Sequence, residues 1–236
     1  MTRRKRWGQP RRGAPSRNGV AAAALAALIS SGCSSSAALP TSLAPASSAP
    51  TTPLPPAVTA LDVEVAALDV HVVQVAGDNL GNARDSLRAG VMDVFAKFRE
   101  TATYHASNIT ECSGTDSRAA QVRASANTVS QRAQGIADPV SKLRGALSSF
   151  QTQVSQAQAH LVADRALPGL SVGANAKLTA LGTSLGSLAS AGDALAKSAT
   201  DAEAEAAATL ADASKQADNA ERLGRYCHAR VATQTH

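Results

Sequence analysis

Aromatic side chains are scarce in this 236-residue sequence, which has one Trp, two Tyr and three Phe. Charged residues are also few, at 17%, and there are only three cysteines. So few rings exclude an aromatic-lined ligand pocket, and so few cysteines exclude a cysteine-rich scaffold. Apolar residues still make up 44% of the sequence, and a chain of this length can bury a sizeable core.

Catalytic motifs are absent as well. The sequence contains no Gly-rich phosphate loop, no His-Glu-x-x-His pair and no nucleophile elbow. Its five histidines are scattered, and the acidic run around Asp201 and Glu205 has no His or Cys beside it. Such a run is typical of a solvated helix face. We therefore predict that the protein is not an enzyme and uses no cofactor.

The positive charge lies in the N-terminal quarter of the chain. Residues 1–57 carry seven basic residues and no acidic one, whereas residues 58–236 carry 16 basic and 18 acidic residues. The formal charge of +5 and the pI of about 9.4 therefore reflect residues 1–57 alone. They give no argument for a nucleic-acid partner, and none is predicted.

The N-terminus has the three parts of a secretory signal. Residues 2–18 are basic, residues 20–29 are apolar, and the small residues Ser30, Ser31 and Gly32 follow. The apolar run is too short to cross a bilayer, which needs roughly 20 apolar residues. Residues 1–32 are therefore predicted to be a signal peptide.

Residues 29–33, with the sequence Ile-Ser-Ser-Gly-Cys, resemble a bacterial lipobox. The resemblance implies that Cys33 is diacylated on its sulfur and becomes the mature N-terminus of an exported lipoprotein. Two acyl chains are enough for stable attachment to a membrane. The alternative is cleavage at a small-x-small site near residues 36–38, which would give a soluble secreted protein.

The next segment is predicted to be a tether. Residues 33–57 are almost wholly Ser, Thr, Ala and Pro, a composition that cannot bury a core. We expect a semi-extended linker between the membrane and a domain over residues 58–232.

Two apolar seams predict long helices in that domain. Each seam steps by three and four residues alternately, the spacing of a coiled coil. The first seam is apolar throughout: Ala119, Val122, Ala126, Val129, Ala133, Ile136, Val140, Leu143, Leu147, Phe150, Val154, Ala157 and Leu161. The second runs from Leu178 to Cys227 with Thr209 and Gln216 as polar members.

The first third of the domain is also predicted to be helical. Leu61, Val65, Leu68, Val72 and Val75 fit a helix face, and a displaced face resumes after residues 77–81, where we expect an irregularity. No second strand-like run exists to pair with this β-branched segment, so a strand is untenable.

Short connections between three long helices require alternating directions. The predicted fold is therefore all-α, an elongated antiparallel three-helix coiled-coil bundle with helices at about 58–108, 115–166 and 172–230. Pro139 lies inside the second helix, where it removes a hydrogen bond. Because the seam keeps its phase there, we expect a kink in a continuous helix.

Cys112 and Cys227 are predicted to form a disulfide. Both continue the seams, and the antiparallel order brings them to the same, Ala-rich end. An exported protein meets oxidising conditions, which favour the bond. The alternative is a metal site made by His105, Cys112, Cys227 and His228, although no C-x-x-C or H-x-x-x-H spacing supports it.

These features predict a lipid-anchored envelope protein. It would act without catalysis as a spacer, scaffold or binding module, with the membrane and another envelope protein as partners. The alternative is a bundle that opens to bind a lipid or a metal ion.

Overall fold

The protein is an all-helical bundle. A computed structural model describes residues 53–234; about 90% of them are helical, and none of them lies in a strand. Five helices follow one another: α1 (Pro56–Ala66), α2 (Val70–Ser107), α3 (Cys112–Gln134), α4 (Ala137–Arg165) and α5 (Val172–Gln234). They make three long helical segments, α1–α2, α3–α4 and α5. The prediction of an all-α fold with three long helices is confirmed.

Every segment packs against the other two. Helix α2 contacts α3, α4 and α5, and α5 also contacts α1, α3 and α4. Polar contacts between the first and second segments pair early residues with late ones: Glu64 with His160, Asp69 with Gln153, and Ser86 with Arg132. Contacts between the first segment and α5 pair early residues with early ones and later residues with later ones: Asp62 with Lys177 and Arg84 with Glu205.

The seam of the second segment is buried as predicted. Of its thirteen apolar members between residues 119 and 161, only Ala133 is partly exposed. Phe150 is the largest fully buried side chain of the core. Burial of such a side chain stabilises a fold by roughly 1.5–3 kcal/mol, so this seam supplies much of the apolar core.

The break in the first segment lies at residues 67–69. The predicted irregularity at residues 77–81 is absent, because α2 runs through these residues without a break, so that prediction is wrong. At the break, Gln153 on α4 donates a hydrogen bond to the Asp69 carboxylate at 2.8 Å. Gln153 also accepts one from the Asp69 backbone N–H at 3.1 Å. A side chain 84 residues away therefore holds the start of α2.

The break resets the helix phase. Val70 and Val73 are buried, whereas Val72 and Val75, which were expected on the core face, are exposed by 52% and 44%. The buried face predicted for residues 61–75 assumed one continuous helix, so the prediction is wrong for the positions after the break.

The second segment is interrupted rather than continuous. Helix α3 ends at Gln134 and α4 begins at Ala137, with Gly135 and Ile136 between them in right-handed helical conformations. Pro139 is the cause, because it has no N–H for the carbonyl of Gly135 four residues earlier. Both helices still pack against α2 and α5, so the chain does not reverse.

Three helix ends differ from their expected positions. Helix α1 begins at Pro56, α3 begins at Cys112 rather than near residue 115, and α5 continues to Gln234. The start of α5 is capped by a side chain, since the Ser171 hydroxyl accepts a hydrogen bond from the Ala174 N–H at 3.1 Å.

The corrected phase of α2 can be tested with two matched substitutions. Val73→Ala removes two methyl groups from a fully buried position, so we expect it to lower the free energy of unfolding by about 1.5–2.5 kcal/mol. Val75→Ala is the control, and we expect a change of about 0.5 kcal/mol or less. Urea unfolding followed by circular dichroism measures both. A larger loss for Val75→Ala would contradict this packing.

Candidate functional site

The two cysteines of the described chain meet where α2 turns into α3. Cys112 is the first residue of α3, and Cys227 lies two turns before the end of α5. Their Cα atoms are 5.5 Å apart and their sulfurs form a disulfide between positions separated by 115 residues. The predicted pairing is present in the structure. The bond clamps the second segment to α5 at this end, called the disulfide end below.

Two glycines let neighbouring helices approach closely beside the disulfide. A Cβ atom at Gly114 would overlap the hydroxyl group of Tyr104, and one at Gly224 would overlap a carboxylate oxygen of Asp116. In these positions, Tyr104 and Asp116 occupy space that a larger residue at 114 or 224 would claim. Arg118 stacks on the Tyr104 ring, with 4.2 Å between its Cζ atom and the ring centroid. Such a cation–π contact fixes the orientation of the ring.

The core at the disulfide end is made of small residues. Its buried members on α5 are Ala213, Ala217, Ala220, Gly224 and Cys227. Continued in steps of three and four residues to Cys227, the predicted seam passes through Gln216 and Leu223. Both are only partly buried, and Ala217 and Gly224 take their places in the core. A central Gln216 would bury an amide without partners, which is costly. Small residues bury little area, so this end gains less from apolar burial than the rest of the bundle.

Three buried hydroxyl groups in the same region are hydrogen-bonded. Thr101 donates to the carbonyl of Lys97 at 2.8 Å, and Thr115 donates to the carbonyl of Glu111 at 3.5 Å. Ser125 accepts a hydrogen bond from the Lys97 ammonium at 2.7 Å. Satisfied hydroxyls avoid the desolvation cost of buried polar groups, so these three groups do not weaken the core.

Charged groups join α3 to α5 around this core. Arg123 donates hydrogen bonds at 2.7 Å to both Glu221 and Asp218. These carboxylates hold the pKa of Arg123 above its ordinary value, and Arg123 in turn lowers the pKa of Glu221. The cluster is largely exposed, so each pair contributes about 0–1 kcal/mol.

Tyr104 stays protonated at neutral pH. A hydrogen bond to Glu111 raises the pKa of Tyr104 above its ordinary value, and partial desolvation acts in the same direction. The phenol therefore acts as a hydrogen-bond donor and not as a base.

The residues considered as metal ligands come to the same end: His105, Cys112, Cys227 and His228. The two sulfurs are bonded to each other, so neither offers a thiolate. His228 Nε2 lies 2.7 Å from Asp116 Oδ2, and the His105 ring contacts the Tyr226 ring edge-on. Among residues 53–234, no group of three or more potential ligands is brought together.

A partly buried ion-pair cluster lies midway along the bundle. Glu205 accepts hydrogen bonds from Arg84 Nε and Nη2 at 2.8 and 2.6 Å, and from Arg88 Nη2 at 3.0 Å. Arg84 also donates to the Ser198 hydroxyl at 3.2 Å and is only 8% exposed. Burial raises the pKa of Glu205, but the hydrogen bonds from Arg88 and Arg84 outweigh it and lower the pKa below its ordinary value.

Sequence reasoning missed this cluster. Glu205 was expected on a solvated face, which is wrong, because two arginines of α2 cover it. A signal was present: Arg84 stands between Leu80 and Leu87 at a core step where an apolar residue is expected. A charge at such a position requires a partner from another helix.

A shallow concavity of about 510 Å³ lies along α4. Its lining comes from this one helix: Ser148, Gln151, Thr152, Ser155, Gln156 and Ala159. None of these side chains is charged at neutral pH, so the concavity has no acid–base pair.

Several predicted features lie outside the described residues: the signal peptide, Cys33, the cleavage site near residues 36–38 and the tether up to residue 52. Among the helices of residues 53–234, none is long and apolar enough to cross a membrane. Comparisons with protein-family models, curated proteins and solved structures gave no match to the chain.

Loss of the disulfide should weaken the protein and open its disulfide end first. In the chain-entropy model a loop of this size is worth about 4–5 kcal/mol, so the double substitution Cys112→Ser and Cys227→Ser should lower the free energy of unfolding by that amount. Urea unfolding measures the loss. Hydrogen exchange should rise first in residues 213–234, where apolar burial is least.

The control for this change is Cys33→Ser, which keeps the disulfide and should unfold like the wild type. A loss below about 1 kcal/mol in the double variant, or faster exchange at the opposite end, would contradict the clamp.

Removal of the Glu205 charge should destabilise the bundle. We expect Glu205→Gln to cost on the order of 2 kcal/mol, because buried Arg84 loses its charged partner while partial exposure of Glu205 moderates the loss. Glu203→Gln is the matched control two residues away, since its pair with Arg144 is exposed and worth about 0–1 kcal/mol.

The Glu205 effect should also depend on pH. The folded-state pKa of Glu205 lies below its ordinary value of 4.5. Its stabilisation is therefore complete above that value and is lost as the pH falls through the lower folded-state pKa. The difference between wild type and Glu205→Gln in urea unfolding should shrink on acidification; a difference that stays constant down to acid unfolding would refute this role.

Proposed function

We propose that this protein is a lipid-anchored, non-enzymatic rod of a bacterial cell envelope, serving as a spacer, scaffold or binding module for another envelope component. The observation that carries the proposal is the disulfide between Cys112 and Cys227. Stable disulfides belong to oxidising compartments outside the cytoplasm, which supports export by the lipobox-like leader ending at Cys33.

The rod is an elongated antiparallel three-helix coiled coil. This shape is supported by the ordered cross-helix contacts and by the three- and four-residue spacing of the buried residues of α3, α4 and α5. Helix α5 has 63 residues, about 95 Å at 1.5 Å per residue. A long, narrow bundle suits the separation of two envelope components better than it suits an enclosed reaction site.

The two ends of the rod have different roles. The tether enters at α1, beside Lys177 near the start of α5, whereas the disulfide joins Cys227 near its end. An anchor at Cys33 therefore presents the disulfide end away from the membrane. Since Lys177 and Tyr226 are 49 positions apart on one helix, the rod carries that end about 70 Å from the point where the tether enters.

The anchor is tested by acylation at Cys33. In a bacterium fed labelled palmitate, the wild-type chain should take up label and sediment with membranes, because two acyl chains hold a protein stably on a bilayer. Cys33→Ala should take up no label and leave the membrane fraction.

The variant Cys112→Ser with Cys227→Ser is the control, since it removes the other two cysteines and should still be labelled. An unlabelled wild-type protein whose N-terminus lies at residues 37–39 would instead show that it is secreted in soluble form.

A further inference from the structure

A basic stripe runs along the outside of α5 at the disulfide end. Arg222, Tyr226 and Arg230 follow each other at four-residue spacing, so they share one face of the helix. All three are exposed, and 60% of the Tyr226 surface is open to solvent. We call these three residues the Arg-Tyr-Arg stripe.

The two arginines of the stripe are unpaired. Within residues 53–234, neither the Arg222 nor the Arg230 guanidinium forms an ion pair or a hydrogen bond, whereas Arg84, Arg123 and Arg144 each hold a carboxylate. Residues 222–234 contain three arginines and no acidic residue. Arg225 pairs with Glu221 at 3.8 Å, and Asp218, one turn before Arg222, is held by Arg123. The positive charge that the described chain leaves unpaired here is therefore that of Arg222 and Arg230.

Helix stabilisation does not account for the whole stripe. Basic residues favour the C-terminus of a helix, but the dipole acts only within the last turn. Arg222 is twelve residues before Gln234, more than three turns from the helix end. Its charge is therefore free to act on a partner.

Tyr226 of the stripe packs against the His105 ring, which has a buried nitrogen without a hydrogen-bond partner in the described chain. Tyr226 contacts His105 edge-on, with 6.2 Å between the ring centroids. His105 Nδ1 is buried and has no hydrogen-bond partner among the described residues. Tyr and Arg are, with Trp, the residues enriched at the energetic centres of protein–protein interfaces, which favours a protein as the occupant of this surface.

We infer that the Arg-Tyr-Arg stripe binds an acidic polypeptide segment of a partner protein. Arg222 and Arg230 are eight residues apart, about 12 Å along the helix, which matches four residues of an extended chain at about 13 Å. Two carboxylates spaced by four residues can therefore reach both guanidinium groups, with Tyr226 against the side chain between them. The inference rests on the proposed function, because it names the chemistry of the partner that the rod would reach.

The test measures binding of a fluorescent twelve-residue peptide with Glu at every fourth position to the full chain carrying Cys33→Ala. This chain cannot be acylated at Cys33, so binding is measured independently of membrane attachment. We expect the Glu peptide to bind in low salt and a peptide with Gln in place of Glu not to bind. Arg222→Gln with Arg230→Gln should weaken binding by about tenfold or more, since each residue loses a charge-assisted contact; Tyr226→Ala should weaken it by about fivefold.

The matched control is Arg99→Gln with Lys215→Gln. It removes the same net charge from two exposed residues that have no ion pair within the described chain. We expect a change of about twofold or less. Circular dichroism verifies that every variant is folded.

Several outcomes would overturn the inference. They are absence of peptide binding to the unsubstituted stripe, an equal loss in the control, or tighter binding to polyphosphate or to phosphatidylglycerol vesicles than to the Glu peptide. The labelling experiment at Cys33 separates this failure from failure of the anchor, because peptide binding needs no acyl chain.

Discussion

The whole bundle depends on burying one narrow apolar stripe along each helix. Side chains such as Leu87, Leu143 and Leu185 are almost fully buried, while the opposite helix faces carry charges and hydroxyls. The stripe survives the break at Gly135 because Ile136 stays in the core and α4 continues on the same side. Keeping the stripe in phase matters more to this fold than keeping each helix continuous.

Apolar burial is unequal along the molecule, and other interactions offset the deficit. Where α5 presents alanine and glycine to the centre, the structure adds a disulfide, satisfied hydroxyls and the carboxylates held by Arg123. Midway, Arg84 stands at a core position that leucine fills elsewhere, and the partly buried Glu205 pairs with it. A buried ion pair adds little net stability compared with apolar residues of similar size, but it disfavours shifted alignments of α2 against α5 that would leave either charge unpaired.

The sequence predicted the second segment best, because every step of its seam is apolar and local periodicity alone defines its buried face. It also predicted the disulfide, since both cysteines continue the seams. Local periodicity did not predict the features that depend on residues distant in the chain. The start of α2 is held by Gln153, and Glu205 is covered by arginines more than 100 residues earlier. Leu68 and Val72 look equivalent in the sequence, but the break at residues 67–69 changes the helix phase, so Leu68 is buried and Val72 is exposed.

The two interruptions of the bundle lie at different heights. The gap before α2 is at residues 67–69, while the gap between α3 and α4 lies close to Ser86, whose carbonyl is bound by Arg132. These levels are about 18 residues apart on the first segment, roughly 27 Å, and α5 passes both without interruption. Because the gaps lie at different levels, no cross-section of the described bundle contains two interrupted helices. Bending at either gap must therefore bend two intact helices as well, which makes the bundle stiffer than its two weak points suggest.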